Sequence, residues 1–145
     1  MELLSERLHI QRSSLVIWDD TVDQARIIAA MGMSREEMQK GRYSLGEGIT
    51  GRVMQTGRPM IIPDISKEPE FLNRTGSRQI KTPPGTPSAQ AISFICVPVK
   101  DGERQVGAIS VDKPYVNDLS LAADARLLSI IAGSIAHPHP SPGAA

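Results

Sequence analysis

Short apolar runs separated by turn residues occupy the first third of the chain and predict β-strands. One run, residues 14–19, ends in the turn-forming pair Asp19 and Asp20, and a second run covers residues 25–31. Because only a few residues separate them, the two runs are predicted to pair as an antiparallel hairpin.

The second half of the chain has the clearest pattern. Residues 93–100 and 105–112 are predicted strands joined by a tight turn, and they form the centre of the sheet. Pro98 lacks an N–H donor, so a bulge or bend is expected there. Residues 120–136 predict a long helix that packs on the sheet or on a partner, since apolar residues recur at helical spacing: Leu121, Leu127, Leu128, Ile130, Ile131 and Ile135.

Smaller elements fill the intervals between these runs. Helices are predicted at residues 3–11, 68–72 and 34–38, the last from a capping box of Ser34 and Glu37, and a strand at residues 60–62. The proline- and glycine-containing residues 75–90 include no aromatic side chain, which predicts a surface loop that is disordered or acts as a lid. The proline-rich residues 137–145 predict a linker or tail.

The glycine-rich residues 46–59 have two incompatible interpretations. Gly46, Gly48 and Gly51 fit the spacing of a dinucleotide-binding fingerprint, and the acidic Asp64 follows an apolar run. That fingerprint requires a buried parallel strand before the first glycine, and residues 39–45 do not have the pattern of one.

A structural interpretation of these glycines fits the flanking sequence better. Gly46 and Gly48 would make a tight entry into a two-turn helix at residues 48–56, and Gly51 would let that helix lie close to the sheet. Gly57 would end it in a left-handed conformation, two residues before Pro59.

Length and composition restrict the class of protein. The 145 residues and 15.7 kDa suit one domain, and sixteen basic residues balance sixteen acidic ones, which argues against direct nucleic-acid binding. The single cysteine, Cys96, excludes an internal disulfide bond. No signal-like or membrane-length apolar segment is present, so the expected compartment is the cytoplasm.

Two longer strings resemble a known family: GRYSLGEGITGRVMQTGRPMIIPDISKEPEFLNRTG and SFICVPVKDGERQVGAISVDK. Together they are similar to GAF domains, most of all to the amino-terminal GAF domain of Nif-specific regulatory proteins. The resemblance implies an α+β fold for residues 1–136, with an antiparallel sheet of five to six strands flanked by helices. Only residues 1–11 are available for the long amino-terminal helix of the family, so that helix is expected to be truncated.

The resemblance also implies a function in a longer protein. In that family the GAF domain is a sensory module of a transcriptional activator, and a AAA+ ATPase domain and a helix-turn-helix domain follow it. No Walker A string occurs in these 145 residues, so no ATPase activity is assigned to them. A homodimer through the terminal helices is the family expectation. Alternatives are a GAF domain of a phosphotransferase-system regulator, of a sensor kinase, or one that binds a cyclic nucleotide.

The ligand pocket that the resemblance implies lies under residues 64–93. Its arginines, Arg74 and Arg78, and also Lys81, could bind a carboxylate or phosphate, although solvated loop charge is the alternative. The other candidate lining residues, which core packing would equally explain, are Ile62, Phe71, Phe94 and Cys96. The expected occupant of the pocket is a small metabolite such as 2-oxoglutarate. The alternative is that the domain binds a regulatory protein. A cyclic nucleotide ranks second because the NKFDE-type signature is absent.

Catalytic and metal-binding patterns are not recognisable in the sequence. One cysteine cannot complete the thiol relay of the free methionine sulfoxide reductases, which share the GAF fold. The chain's histidines, His9, His137 and His139, lack the spacing of a metal site, and the aspartates Asp112, Asp118 and Asp124 do not form a convergent pair. The sequence therefore predicts a non-enzymatic domain with no cofactor and no metal, and a GAF-fold enzyme is the weaker alternative.

Overall fold

A computed structural model describes residues 10–68 and 91–136, which form one sheet with helices on both faces. The strands are β1 Arg12–Asp19, β2 Gln24–Met31, β3 Arg42–Tyr43, β4 Met60–Ile62, β5 Ile92–Asp101 and β6 Arg104–Pro114. The helices are α1 Arg35–Lys40, α2 Gly48–Thr56 and α3 Asp118–Ala136, with a 3-10 turn at Ile65–Lys67. The strand order is β3-β2-β1-β6-β5-β4, and every neighbouring pair is antiparallel. The predicted α+β architecture with five to six antiparallel strands is confirmed.

Two predicted helices differ from the structure where it can be compared. For the helix at residues 3–11, residues 1–9 lie outside the described part; Ile10 and Gln11 are not helical, and the Gln11 N–H bonds the Asp112 carbonyl at 2.8 Å. For the helix at residues 68–72, only Glu68 is described, and its backbone is extended. Both segments have the composition of a short helix, but in the first of them strand pairing binds the described residue Gln11.

The irregularity predicted at Pro98 occurs one residue further on. Pro98 pairs in register with Ala108, and the register shifts between Val99 and Lys100, which leaves Val106 as the extra residue of β6. The pairing of β5 with β4 stops at Cys96, so no N–H is required from Pro98 on that side. A second shift, between Leu15 and Val16, was not predicted.

Alternate residues of β5 supply two separate cores. Phe94 and Cys96 pack with α2 and the 3-10 turn on one face of the sheet, in a cluster that includes Val16 and Val53. Ile95, Val97 and Val99 pack with α3 on the other face, against Ala125, Leu128 and Ala132. The sheet is therefore buried on both sides, which explains the near-continuous apolar run of this strand.

Helix α3 buries only part of the predicted apolar stripe. Leu121 and Leu128 are buried and Ile131 is partly buried. The exposed members are Leu127, Ile130 and Ile135, of which Ile130 is 65% exposed. A buried ion pair not foreseen from the sequence also fixes α3 to the sheet: the Lys113 ammonium of β6 contacts the Asp124 carboxylate, with side chains 8% and 12% exposed.

The glycine-rich segment enters and leaves α2. Gly46 and Gly48 have positive φ angles of 78° and 64°, and Gly57 caps the helix in the left-handed conformation, its N–H bonding the Val53 carbonyl at 2.8 Å. Gly51 lies against the preceding loop rather than the sheet, because a Cβ there would meet the Ser44 carbonyl oxygen at 2.3 Å. No parallel strand precedes the segment in the described chain, so it has no dinucleotide-binding architecture.

Candidate functional site

An open pocket of about 460 Å³ lies at the β4 edge of the sheet, and its volume is in the range of small-molecule sites. We call it the β4 pocket. Residues of β4, the 3-10 turn and the ends of β5 and β6 line it: Ile61, Ile62, Pro63, Asp64, Lys67, Glu68, Ala91 and Tyr115.

Local sequence explains how the residues that line the β4 pocket are held in place. Pro63 ends β4, and its carbonyl accepts a hydrogen bond of 2.7 Å from the Ser93 hydroxyl of β5. Asp64 caps the 3-10 turn by accepting bonds from the Ser66 N–H at 3.0 Å and the Ser66 hydroxyl at 2.7 Å. Ile65 is buried and anchors the turn to the core.

The pocket holds charges of both signs. The hydrogen bond from the Ser66 hydroxyl lowers the pKa of Asp64, and Lys67, at 4.0 Å, acts in the same direction. Asp64 is therefore ionised at neutral pH. The Lys67 side chain is 83% exposed, which leaves its ammonium accessible to a ligand carboxylate.

Tyr115 connects the pocket to α3. Its hydroxyl donates a hydrogen bond of 2.8 Å to the carboxylate of Asp118, the first residue of that helix. The same bond raises the pKa of Tyr115, so the hydroxyl keeps its proton at neutral pH. A side chain that lines the pocket thus contacts the start of the helix.

The structure places the predicted ligand residues in different environments. Ile62 lines the β4 pocket, whereas Phe94 and Cys96 lie in the core beside α2 and not in the pocket lining. Burial raises the pKa of the Cys96 thiol to about 12, so the thiol is uncharged at neutral pH. The remaining candidates lie outside the described residues: Phe71, Arg74, Arg78 and Lys81.

Sequence reasoning missed Tyr115, Asp64 and Lys67 as pocket residues. The Asp64-x-Ser66 spacing is typical of an Asx turn and could have indicated the turn, but not its position at a pocket. Tyr115 follows a strand and lies three residues before the start of a helix. This spacing allows contact with the helix start, but the sequence alone does not show that the side chain also lines a pocket.

In residues 10–68 and 91–136, no three His, Cys, Asp or Glu side chains come together as a metal site. No helix in the same ranges is long and apolar enough to span a membrane.

Comparison with known proteins decides the family. The family model of the GAF domain matches residues 1–137. The chain belongs to the GAF family.

Among curated relatives of this GAF domain, the nitrogen fixation protein VnfA of Azotobacter vinelandii is 38% identical over 136 residues, covering 94% of this chain and 25% of the relative. A Nif-specific regulatory protein of Herbaspirillum seropedicae is 35% identical, covering 93% of this chain and 24% of the relative. The GAF domain therefore spans about a quarter of the length of these relatives.

Solved structures show the same fold. The nlh2 GAF domain of A. aeolicus, described as being in an inactive state, superposes with a TM-score of 0.76 at 25% identity, covering 93% of this chain and 76% of that one. A free methionine-R-sulfoxide reductase of Thermoplasma acidophilum has a TM-score of 0.67 at 20% identity, covering 93% and 83%. The second likeness concerns the fold alone.

Proposed function

We propose that this GAF domain is the non-catalytic sensory domain of a transcriptional activator of nitrogen-fixation genes. It binds a small metabolite, with 2-oxoglutarate as the first candidate, or a regulatory protein, and relays the bound state to a downstream AAA+ domain. The regulators among its relatives support this assignment. The observation that carries the relay is the Tyr115–Asp118 hydrogen bond, which joins a pocket-lining side chain to the start of α3.

The β4 pocket suits a small carboxylate-bearing ligand. Ile61, Ile62 and Pro63 supply an apolar wall for the carbon chain, and Lys67 supplies an exposed ammonium for a carboxylate. Asp64 is held by Ser66 and would repel an anion placed directly on it, so the ligand carboxylate belongs on the Lys67 side.

The relay uses two connections between the sheet and α3. The first is Tyr115 to Asp118 at the start of the helix; the second is the ion pair of Lys113 with Asp124, about 1.7 turns further on. A ligand that contacts Tyr115 competes with Asp118 for its hydroxyl and so changes the stability of the first turn of α3. The buried ion pair holds the rest of the helix in place.

A non-enzymatic role is supported by the state of Cys96. Its thiol is fully buried and has a pKa of about 12, so it is neither accessible nor ionised. A redox reaction of the kind named for the Thermoplasma acidophilum reductase would need a reactive thiol, and Cys96 is the chain's single cysteine.

A homodimer is part of the proposal. The outward face of α3 carries Leu119, Leu127 and Ile130, which are 82%, 39% and 65% exposed and recur at helical spacing. A second copy of the same helix would cover this face. Light scattering is expected to give twice the 15.7 kDa of one chain, and Ile130→Glu is expected to give the monomer mass. A monomer for the unmodified chain would contradict the dimer.

Thermal melting with a panel of metabolites tests the ligand. A metabolite at a hundred times its dissociation constant stabilises the folded state by about 2.7 kcal/mol. The panel includes 2-oxoglutarate and cyclic nucleotides, and Lys67→Gln is expected to remove the shift given by a carboxylate ligand. Arg104→Gln, an exposed change at the start of β6 that does not line the β4 pocket, is the matched control. If no metabolite raises the melting temperature, the domain is expected to bind a regulatory protein instead of a metabolite.

Hydrogen exchange tests the relay separately from binding. An active ligand is expected to change amide exchange at residues 118–121 in the unmodified chain. Asp118→Ala removes the acceptor of the bond and leaves the pocket lining intact, so it should keep the melting shift and lose the change in exchange. If the exchange response survives in Asp118→Ala, the Tyr115–Asp118 bond is not the relay.

A further inference from the structure

A second pocket, at the opposite β3 edge of the sheet, is lined by three arginines. Its volume is about 220 Å³, and the residues around it are Arg26, Ile27, Arg35, Met38, Gln39 and Arg42. We call it the arginine pocket. No aspartate or glutamate of the described chain lines it.

Two of the arginines are held side by side by the strand pairing. Arg26 of β2 and Arg42 of β3 are direct partners in the antiparallel ladder, so their side chains leave the same face of the sheet. Like charges placed directly opposite each other destabilise a sheet. This arrangement is therefore unfavourable unless an anion compensates it.

The neighbouring carboxylates do not neutralise all three cations. Asp19 forms an ion pair of 3.6 Å with Arg26 and also accepts hydrogen bonds from Thr21. Arg42 contributes more weakly to lowering the pKa of Asp19. Within residues 10–68 and 91–136, neither Arg35 nor Arg42 forms an ion pair within 4.0 Å. Glu37 of α1 accepts a hydrogen bond from the Ser34 N–H in the capping box.

The backbone fixes the geometry of the pocket. Gly41 joins α1 to β3 and lies directly on Ile27, because a Cβ at Gly41 would meet the Ile27 side chain at 2.2 Å. The Ile27 N–H also bonds the Gly41 carbonyl at 3.3 Å. The short helix carrying Arg35 is thus held against the strand carrying Arg26, and Ile27 and Met38 add apolar surface to the pocket lining.

We propose that the arginine pocket binds a small anion bearing a phosphate or carboxylate group. Guanidinium groups match both anions through paired N–H donors. The small volume and concave shape favour a compact anion over a segment of an acidic protein. The site is separate from the β4 pocket and does not depend on the sensory function proposed above.

Calorimetry with inorganic phosphate on the 145-residue chain tests this proposal, with sodium chloride at matched ionic strength as the reference for simple screening. Arg42→Gln is expected to weaken phosphate binding about tenfold or more, since it removes a charge-assisted contact. Arg42→Lys, which keeps the charge but loses the paired donors, is expected to be intermediate. Arg104→Gln, an exposed change outside the arginine pocket, should bind as the unmodified chain does.

The melting temperature gives a second readout. Phosphate is expected to raise the melting temperature of the unmodified chain more than that of Arg42→Gln, because the bound anion offsets the repulsion between Arg26 and Arg42. Phosphate binding that is absent, equal to the effect of chloride, or unchanged in Arg42→Gln would overturn the proposal. Tighter binding of a hexaglutamate peptide than of phosphate, lost in Arg42→Gln, would overturn the small-anion assignment in favour of an acidic protein partner. A melting shift by 2-oxoglutarate that Arg42→Gln removes belongs to this site, and one that Lys67→Gln removes belongs to the β4 pocket.

Discussion

The ion pair of Lys113 and Asp124 is expected to contribute strongly to how α3 is held on the sheet. Both side chains are about nine-tenths buried. Removing one partner of a buried pair leaves an uncompensated charge in the interior and costs about 3–5 kcal/mol. A domain of this size has a total stability of about 5–15 kcal/mol. Asp124→Asn should therefore remove a large part of the free energy of unfolding.

A double-mutant cycle in urea separates the pair from its surroundings. Asp124→Leu and Lys113→Met are each expected to be strongly destabilising. Combining the same two substitutions should recover most of the loss, because well-packed apolar side chains replace a buried pair at little cost. The midpoint of the urea transition gives each difference directly if the slope is unchanged.

The exposed pair of Arg104 and Asp20 is the matched control. Its charges lie 3.8 Å apart with side chains 74% and 76% exposed, and exposed pairs contribute about 0–1 kcal/mol. Asp20→Asn should thus change stability little. If Asp124→Asn costs no more than Asp20→Asn, the inference from burial is refuted.

Three further outcomes are expected. Gly51→Ala should destabilise by about 1–3 kcal/mol because its Cβ would meet the Ser44 carbonyl at 2.3 Å, whereas Gly133→Ala, with nothing within 4 Å, should stabilise by about 0.5–1 kcal/mol in the same urea assay. Folding lowers the pKa of Asp64, so the ionised carboxylate stabilises the folded state. This stabilisation is complete above the unfolded-state pKa of 3.8 and is lost as the pH falls through the lower pKa of the folded state. The melting-temperature gap between the unmodified chain and Asp64→Ala should accordingly narrow in acid. Cys96, whose thiol pKa is about 12, should react with a thiol reagent at pH 8 only after unfolding.

Local pattern was sufficient to predict the main elements of this fold. Apolar runs and a tight turn predicted the β5–β6 hairpin, and helical spacing predicted α3 with its buried residues Leu121 and Leu128. Strand β3 has two residues and exists only because it pairs with β2, so no local pattern indicates it. The pair of Lys113 and Asp124 joins different elements, and only their packing brings the charges together.

The same limit applies to the site residues. The β4 pocket combines Lys67 with Tyr115, which are 48 positions apart in the sequence and meet only through the strand order. The arginine pocket depends on the pairing of Arg26 with Arg42, which follows from the unpredicted β3. Without the strand order, the sequence does not indicate that Lys67 lies near Tyr115 or that Arg26 lies beside Arg42.

The two pockets lie at opposite edges of the sheet, which predicts how they interact. The strand order places five inter-strand spacings between β3 and β4, a span of about 24 Å at about 4.8 Å each. Substitutions more than about 10 Å apart that share no partner combine additively within about 0.5 kcal/mol. The stability change of Arg42→Gln with Tyr115→Phe should therefore equal the sum of the two single changes. A coupling above about 1 kcal/mol would show instead that the sheet transmits strain between its edges, in which case an anion at the arginine pocket could alter the start of α3 without touching it.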